Sequence, residues 1–262
     1  MKSLNGQELA DYVKERQAGE AKRRIAEGVQ PKLVIFYDND SPVISKYMGL
    51  KKGYGADIGV VVDVVKFAVN NARKRMLEAA RDESVHGIIV QLPLAKVSEE
   101  ILSLIPVEKD VDGLNGGFIS ATAEAINWLL GGYGVELAGK KIAIVGQGKL
   151  VGKPLFEMWK DSGYDVTTFR RGSDLGVLKD FDVIVSGTGV PGVIKSEMVR
   201  SGAVVVDAGT ASEDGVLVGD TDEALRTRDD IAITPRVGGV GPLTVAVLFE
   251  HVLRAAGKKA QV

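Results

Sequence analysis

The chain has 262 residues, 45% of them hydrophobic, enough apolar material for one large domain or two smaller ones with real cores. Thirty-three Lys and Arg against 35 Asp and Glu leave a net charge of −2, which gives no general attraction for nucleic acid or acidic membranes; neither partner is expected. With no cysteine, disulfides and thiolate chemistry are excluded, and a cytoplasmic location fits best.

From the start, "MKSLNGQELADYVKERQ" reads as a capped amphipathic helix rather than a signal peptide. Short β-rich runs follow at 32–37 ("KLVIFY"), 57–62 ("DIGVVV"), 86–94 ("HGIIVQLPL"), 141–146 ("KIAIVG"), 165–169 ("DVTTF"), 182–187 ("DVIVSG") and 203–209 ("AVVVDAG"). Between them, segments such as Val64–Arg81 and Gly152–Ser162 carry apolar residues at helical spacing and are long enough for crossovers. This alternation predicts an α/β protein built on parallel sheets. Glycine-rich loops flank a helix at about Ala121–Leu130, which suggests a division near residue 120. The last pattern, "GPLTVAVLFEHVLRAAGKK", is apolar on most of its circumference and is expected to bury itself, returning to the first domain. No apolar stretch is read as reaching the roughly 20 residues of a membrane span.

"IVGQGKLVGKP" carries the first functional signal. Gly146, Gly148 and Gly152 follow an expected strand and open an expected helix, where backbone N–H groups and the helix N-terminus can receive a pyrophosphate. Its G-x-G-x-x-x-G spacing is one residue longer than the common dinucleotide fingerprint, so the pattern alone leaves a plain tight turn open. About 20 residues on, where an acidic residue would address the ribose hydroxyls of NAD, the chain has Arg170 and Arg171. Two guanidiniums suit a 2′-phosphate and favour NADP, although arginines at a strand end are more often simply solvated. Gln147, Lys149 and Val151 belong to the same loop, and Thr188 and Gly189 lie in a second glycine turn, "SGTG", at a strand's carboxyl end.

Upstream, "SKYMGLKKG" sets Tyr47 and Lys51 four residues apart, hence on one helix face. Alone, that pair fits a solvated amphipathic face better than a site. "VQLPL" places Gln91 at the carboxyl end of a strand, with Leu92 and Pro93 after it, and "KDVDG" places Asp110 and Asp112 in a loop. These residues also have ordinary readings, since Gln91 can satisfy a strand end and the aspartates can cap a turn or hold a metal. No further ligand cluster accompanies the aspartates, so no metal is expected. His86 and His251 stand in apolar surroundings and read as structural.

Taken together, Tyr47-x-x-x-Lys51, "GIIVQLPL", "PVEKDVDG", "G-x-x-x-VGKP" and "TPRVGGVGPLT" occur in an order that resembles bifunctional methylenetetrahydrofolate dehydrogenase/cyclohydrolase over almost the whole chain. The resemblance implies an N-terminal α/β folate domain (1–119 and 242–262) and a Rossmann-type NADP domain (120–241), with folate bound between them, and a homodimer. It further implies that Lys51 is the proton-shuttling base and that Gln91 holds its amine. Tyr47 would pack on the folate and Asp112 would bind the pterin, with Leu92, Pro93, Gly239, Gly241, Pro242 and Thr244 lining the substrate. A working lysine must be neutral part of the time, through burial or a nearby cation such as Lys52.

Several positions break the family pattern, and the stretch after "KDVDG" is shorter than usual. The usual "GRS" is Gly146-Gln147-Gly148, with Arg170 and Arg171 as substitutes for the lost charge; "PAS" is Pro42-Val43-Ile44; "TPVPGG" is Thr234 to Gly239, which adds Arg236 as a candidate phosphate or folate-tail contact. The alternatives are a dehydrogenase of the same family without the hydrolytic step, a hydride-transfer enzyme acting on another substrate, or a non-catalytic dinucleotide sensor, which would have no need of a base.

Overall fold

The computed structural model describes residues 2–213 and 216–258, and the chain divides into two compact units. The leading unit is Asp11–Ala121 with the chain from Val245 onward; the trailing unit is Thr122–Thr244 with the residues up to Ala10. Elements are numbered in chain order: strand β1 (Lys2–Ser3) and helix α1 (Gly6–Ala26) open the chain. Asn5 starts α1 by accepting a hydrogen bond from the Gln7 N–H on its side-chain oxygen.

In the leading unit, β2 (Lys32–Tyr37) is followed by α2 (Pro42–Ile58), β3 (Val61–Lys66), α3 (Ala72–Arg81) and β4 (Gly87–Val90). The three strands form a parallel sheet in the order β3-β2-β4, with Ile35 opposite Val64 on one side and Ile89 on the other. Leu33 to Phe36 of the central strand and all of β4 are buried, the run expected of strands covered on both faces.

The strand read at 57–62 is displaced by four residues, because α2 continues through Asp57 and Ile58. Gly59 ends it in the left-handed region (φ 82°), and the Val60 N–H bonds back to Gly55. The β-branched run after this stop forms β3, so the helix read from Val64 begins only at Ala72.

The trailing unit carries α4 (Ala121–Gly132), β5 (Lys141–Val145), α5 (Gly152–Asp161), β6 (Asp165–Phe169), β7 (Val183–Ser186) and β8 (Val204–Asp207). A hairpin of β9 (Ala211–Glu213) and β10 (Val216–Val218), the single-turn helix α6 (Glu223–Arg226) and β11 (Ala232–Ile233) follow. Its six-stranded sheet runs β1-β11-β8-β7-β5-β6 and every pairing is parallel. The chain's first strand therefore belongs to this sheet, although sequence grouped residues 1–119 together. Strand order reverses at β5, which lies between β6 and β7, so the carboxyl ends of β5 and β7 form the point where open α/β sheets receive ligands.

The final helix α7 (Val240–Lys258) returns to the leading unit. Phe249 stacks on Tyr54 with ring centres 5.1 Å apart, the Gln17 amide donates to the Ala246 carbonyl at 2.8 Å, and Arg16 pairs with Glu250 at 2.6 Å. Val240–Gly257 is long and apolar enough, by composition, to cross a membrane; the burial of Val247, Phe249, Val252 and Leu253 identifies it as a core helix.

Candidate active site and dinucleotide loop

Helix α2 carries both Tyr47 and Lys51, and Ser41 caps it by accepting from the Ile44 N–H at 3.3 Å. Across the sheet end, Gln91 follows β4 directly, its own N–H held by the Phe36 carbonyl at 2.7 Å. The Lys51 ammonium donates to the Gln91 side-chain carbonyl at 2.6 Å, while the Gln91 amide nitrogen donates to the Leu92 carbonyl at 3.1 Å. Gln91 is thus oriented by the backbone and presents an acceptor to the lysine. The Leu92–Pro93 peptide that follows is cis.

Burial pushes the Lys51 amine below its ordinary range, and the nearby Asp112 carboxylate opposes that shift. Burial raises Asp112 in turn, against the favourable charges of Lys51 and His251. Lys52, expected as a helping cation, is exposed on the next helical position; burial is the cause of the depression. Tyr47 is half-buried, which raises its hydroxyl.

Asp112 lies on a loop fixed at several points. The Ile88 N–H bonds to the Lys109 carbonyl at 2.7 Å, the Lys109 ammonium caps α3 through the Ala80 and Asp82 carbonyls at 2.8 and 2.7 Å, and Asp110 accepts from the Asn115 N–H. Asp110 is therefore a buried loop brace. Among the described residues no group of three His, Asp or Glu is arranged to hold a metal ion. His251, read from sequence as structural, is buried on α7 with its Nδ1 2.8 Å from the Val111 carbonyl, one residue before Asp112. Its pairing with this loop spans 140 positions of sequence, so no local pattern could disclose it.

In the trailing unit the three loop glycines have different causes. Gly146 has φ 99°, and a side chain there would meet the Gly187 carbonyl at 2.9 Å; a side chain on Gly152 would meet the Gly146 carbonyl at 1.9 Å. These two let the strand turn and the helix pack closely. A Cβ on Gly148 would meet nothing within 4 Å, so the protein's own packing makes no demand for glycine there, and the open space suits close approach by a ligand. Val151 supplies no side-chain cap to α5, which leaves the helix N-terminus suited to an anion. Lys149 is exposed beside it. The residues present fit a dinucleotide.

Gln147 donates to the Thr168 hydroxyl at 2.6 Å and ties the loop to β6. Arg170 and Arg171 leave the end of β6 exposed, with the Arg170 N–H held by Ser173 at 3.0 Å. Asp220 braces the second glycine turn by accepting from the Ser186 hydroxyl and the Thr188 N–H, both at 2.6 Å, with Gly189 next at φ 68°. This bracing role was not legible in sequence. Arg236, considered for a phosphate, is paired with Glu223. Gly239 is buried; Gly241 is exposed at the start of α7, and Pro242 and Thr244 are half-buried, the Thr244 hydroxyl donating to the Val240 carbonyl at 3.2 Å.

Residues 4–112 match the family model for the catalytic domain of tetrahydrofolate dehydrogenase/cyclohydrolase, and residues 120–260 match that for its NAD(P)-binding domain. The bifunctional protein FolD of Macrococcus caseolyticus (strain JCSC5402) is 34% identical, covering 99% of each chain. Among solved structures, the bifunctional FolD of Campylobacter jejuni superposes with a TM-score of 0.93 at 30% identity over 99% of each chain. The Trypanosoma brucei methylenetetrahydrofolate dehydrogenase-cyclohydrolase, complexed with NADP cofactor and an inhibitor, gives 0.91 at 27% identity, over 99% of this chain and 98% of its own.

Proposed function

The chain belongs to the tetrahydrofolate dehydrogenase/cyclohydrolase family, and on that premise we propose that it oxidises 5,10-methylenetetrahydrofolate with NADP and hydrolyses the methenyl product to 10-formyltetrahydrofolate, with the residues in the following roles. Bound NADP would supply the acceptor for the hydride that leaves the bridging methylene carbon. Gly148 allows the dinucleotide backbone close to the loop, the uncapped N-terminus of α5 faces the pyrophosphate, and Arg170 with Arg171 takes the 2′-phosphate. Gln147, Lys149, Val151, Thr188 and Gly189 complete the cofactor contacts, and Leu92, Pro93, Gly239, Gly241, Pro242 and Thr244 those of the folate.

Hydrolysis needs a base that can take a proton from water as its oxygen attacks the methenyl carbon. Neutral Lys51 takes this proton and delivers it to N5 as the N5–carbon bond breaks; the second proton of the water goes to solvent as the formyl carbonyl forms on N10. Gln91 holds the amine in place. Asp112 accepts from the adjacent N–H donors of the pterin, and Tyr47 packs on its ring. The observation that carries this reading is the 2.6 Å bond between a half-buried lysine, whose amine desolvation depresses, and a glutamine whose own orientation is fixed by backbone. A surface lysine on an amphipathic face would have neither feature, and a sensor would not need them.

The family also supports a homodimer in the cytoplasm, and the net charge of −2 supports a small-molecule enzyme rather than a binder of nucleic acid. The test is a pair of absorbance assays run with each nicotinamide. NADPH is expected to form from methylenetetrahydrofolate, and added methenyltetrahydrofolate is expected to decay faster than in buffer. Cofactor reduction without accelerated decay would identify a monofunctional dehydrogenase; neither activity would leave a sensor.

A further inference from the structure

His251 stands outside the residues assigned so far, although it is a buried titratable group packed against the loop that carries Asp112. A carbonyl oxygen can only accept, so the 2.8 Å contact with Val111 requires a proton on Nδ1. The ring also stacks on Phe118, centre to centre 4.5 Å, and the Arg254 guanidinium of the same helix lies 5.8 Å from the centre of the Phe118 ring. His251 therefore touches the loop both before and after Asp112. On the other side of the aspartate, Gly113 has φ 75° and a Cβ there would meet the Ile119 backbone at 2.6 Å, so only glycine fits where the loop folds closely against residue 119.

The Val111 carbonyl and the Asp112 N–H share one rigid peptide plane. A hydrogen bond that fixes this carbonyl fixes the direction in which the Asp112 Cα leaves, and with it the carboxylate. We propose that His251 is a positioning residue for the pterin: it aims Asp112 by clamping the Val111 peptide from α7, without touching the substrate. The proposal rests on the reading of Asp112 as the pterin acceptor. It also gives the returning C-terminal helix a part in substrate recognition beyond filling the core. A misdirected carboxylate weakens two parallel N–H bonds at once, so the effect belongs in the folate KM.

Two variants separate this role from mere packing. His251→Leu keeps an apolar side chain in the buried position and removes the bond; His251→Asn places an amide nitrogen on the same Cβ–Cγ stem and can restore it. Relative to the parent, H251L is expected to raise the folate KM about tenfold, the loss of roughly one charge-assisted hydrogen bond, with the NADP KM unchanged. H251N is expected to recover most of that loss although it lacks the ring stack. A parent-like folate KM in H251L, or an H251N protein as impaired as H251L, overturns the proposal. In the parent, nitrogen NMR should show a protonated Nδ1 whose resonance moves when folate binds; an unprotonated or unresponsive Nδ1 overturns it even if H251L does not fold. An Asp112→Ala protein with parent folate KM would overturn the premise and the proposal together, whereas an impaired D112A beside an unaffected H251L sinks the proposal alone.

Discussion

The leading unit hides its reactive groups, and the trailing unit displays them. Lys51 and Asp112 are held where burial drives both toward neutrality, and their mutual attraction only partly restores the charges. Arg170 and Arg171, with the open backbone at Gly148, are exposed at the ends of a sheet. The difference follows from the chemistry each serves. A lysine that must lose its proton near neutral pH has to be desolvated, whereas a site for a phosphate needs permanent charge and bare N–H groups, which water does not harm.

The contrast breaks most sharply at Lys51. Lys51→Met should lower methenyl hydrolysis by about 10²- to 10⁴-fold, the range of a lost general base, while the protein still folds because a buried amine is replaced by a chain of similar length. Parent-rate decay of methenyltetrahydrofolate, followed by absorbance, would remove Lys51 from the mechanism. On the exposed side, replacing Arg170 and Arg171 together by Ala should raise the KM for NADP by roughly 10- to 100-fold and leave that for NAD unchanged, because only NADP has the 2′-phosphate. Equal losses with both nicotinamides would show that the arginines serve something else.

The glycines supply a smaller, structural version of the same comparison. Gly152→Ala forces a methyl group onto the Gly146 carbonyl and should cost about 1–3 kcal/mol of stability, read from thermal melting. Gly148→Ala meets open space, so its melting temperature should match the parent while its cofactor KM rises. A fall in melting temperature for Gly148→Ala alone would reverse the assignment of the two glycines.

How much of this was legible in sequence differs between the units for the same reason. The dinucleotide loop is local, a strand, a turn and a helix within about 20 residues, and β5, α5 and β6 formed where their patterns stood. The Lys51 cluster is assembled from α2, the end of β4, a loop and α7, and periodicity alone left Tyr47 and Lys51 as a solvated face. Only the order of several motifs, matched as a set, singled them out. The pairings of His251 and Asp220 were not legible because their partners, Val111 and Ser186, are brought near by the fold and by nothing in the neighbouring sequence. The misplaced strand at 57–62 was a boundary problem: Gly59 carried the stop signal, and helical propensity on its N-terminal side outweighed the β-branched run.

The central claim is that burial, opposed by Asp112, sets the proton affinity of Lys51. The most direct test is the pH dependence of kcat for methenyl hydrolysis in the parent and in Asp112→Asn. A neutral amine is the active form, so kcat should rise with pH through the Lys51 pKa, and this limb should lie below the value of about 10.4 for an ordinary lysine. Removing the carboxylate takes away a charge that raises this pKa, so the limb should move to still lower pH in the variant. A limb at the ordinary lysine value in the parent, or one that moves upward in Asp112→Asn, would contradict the account.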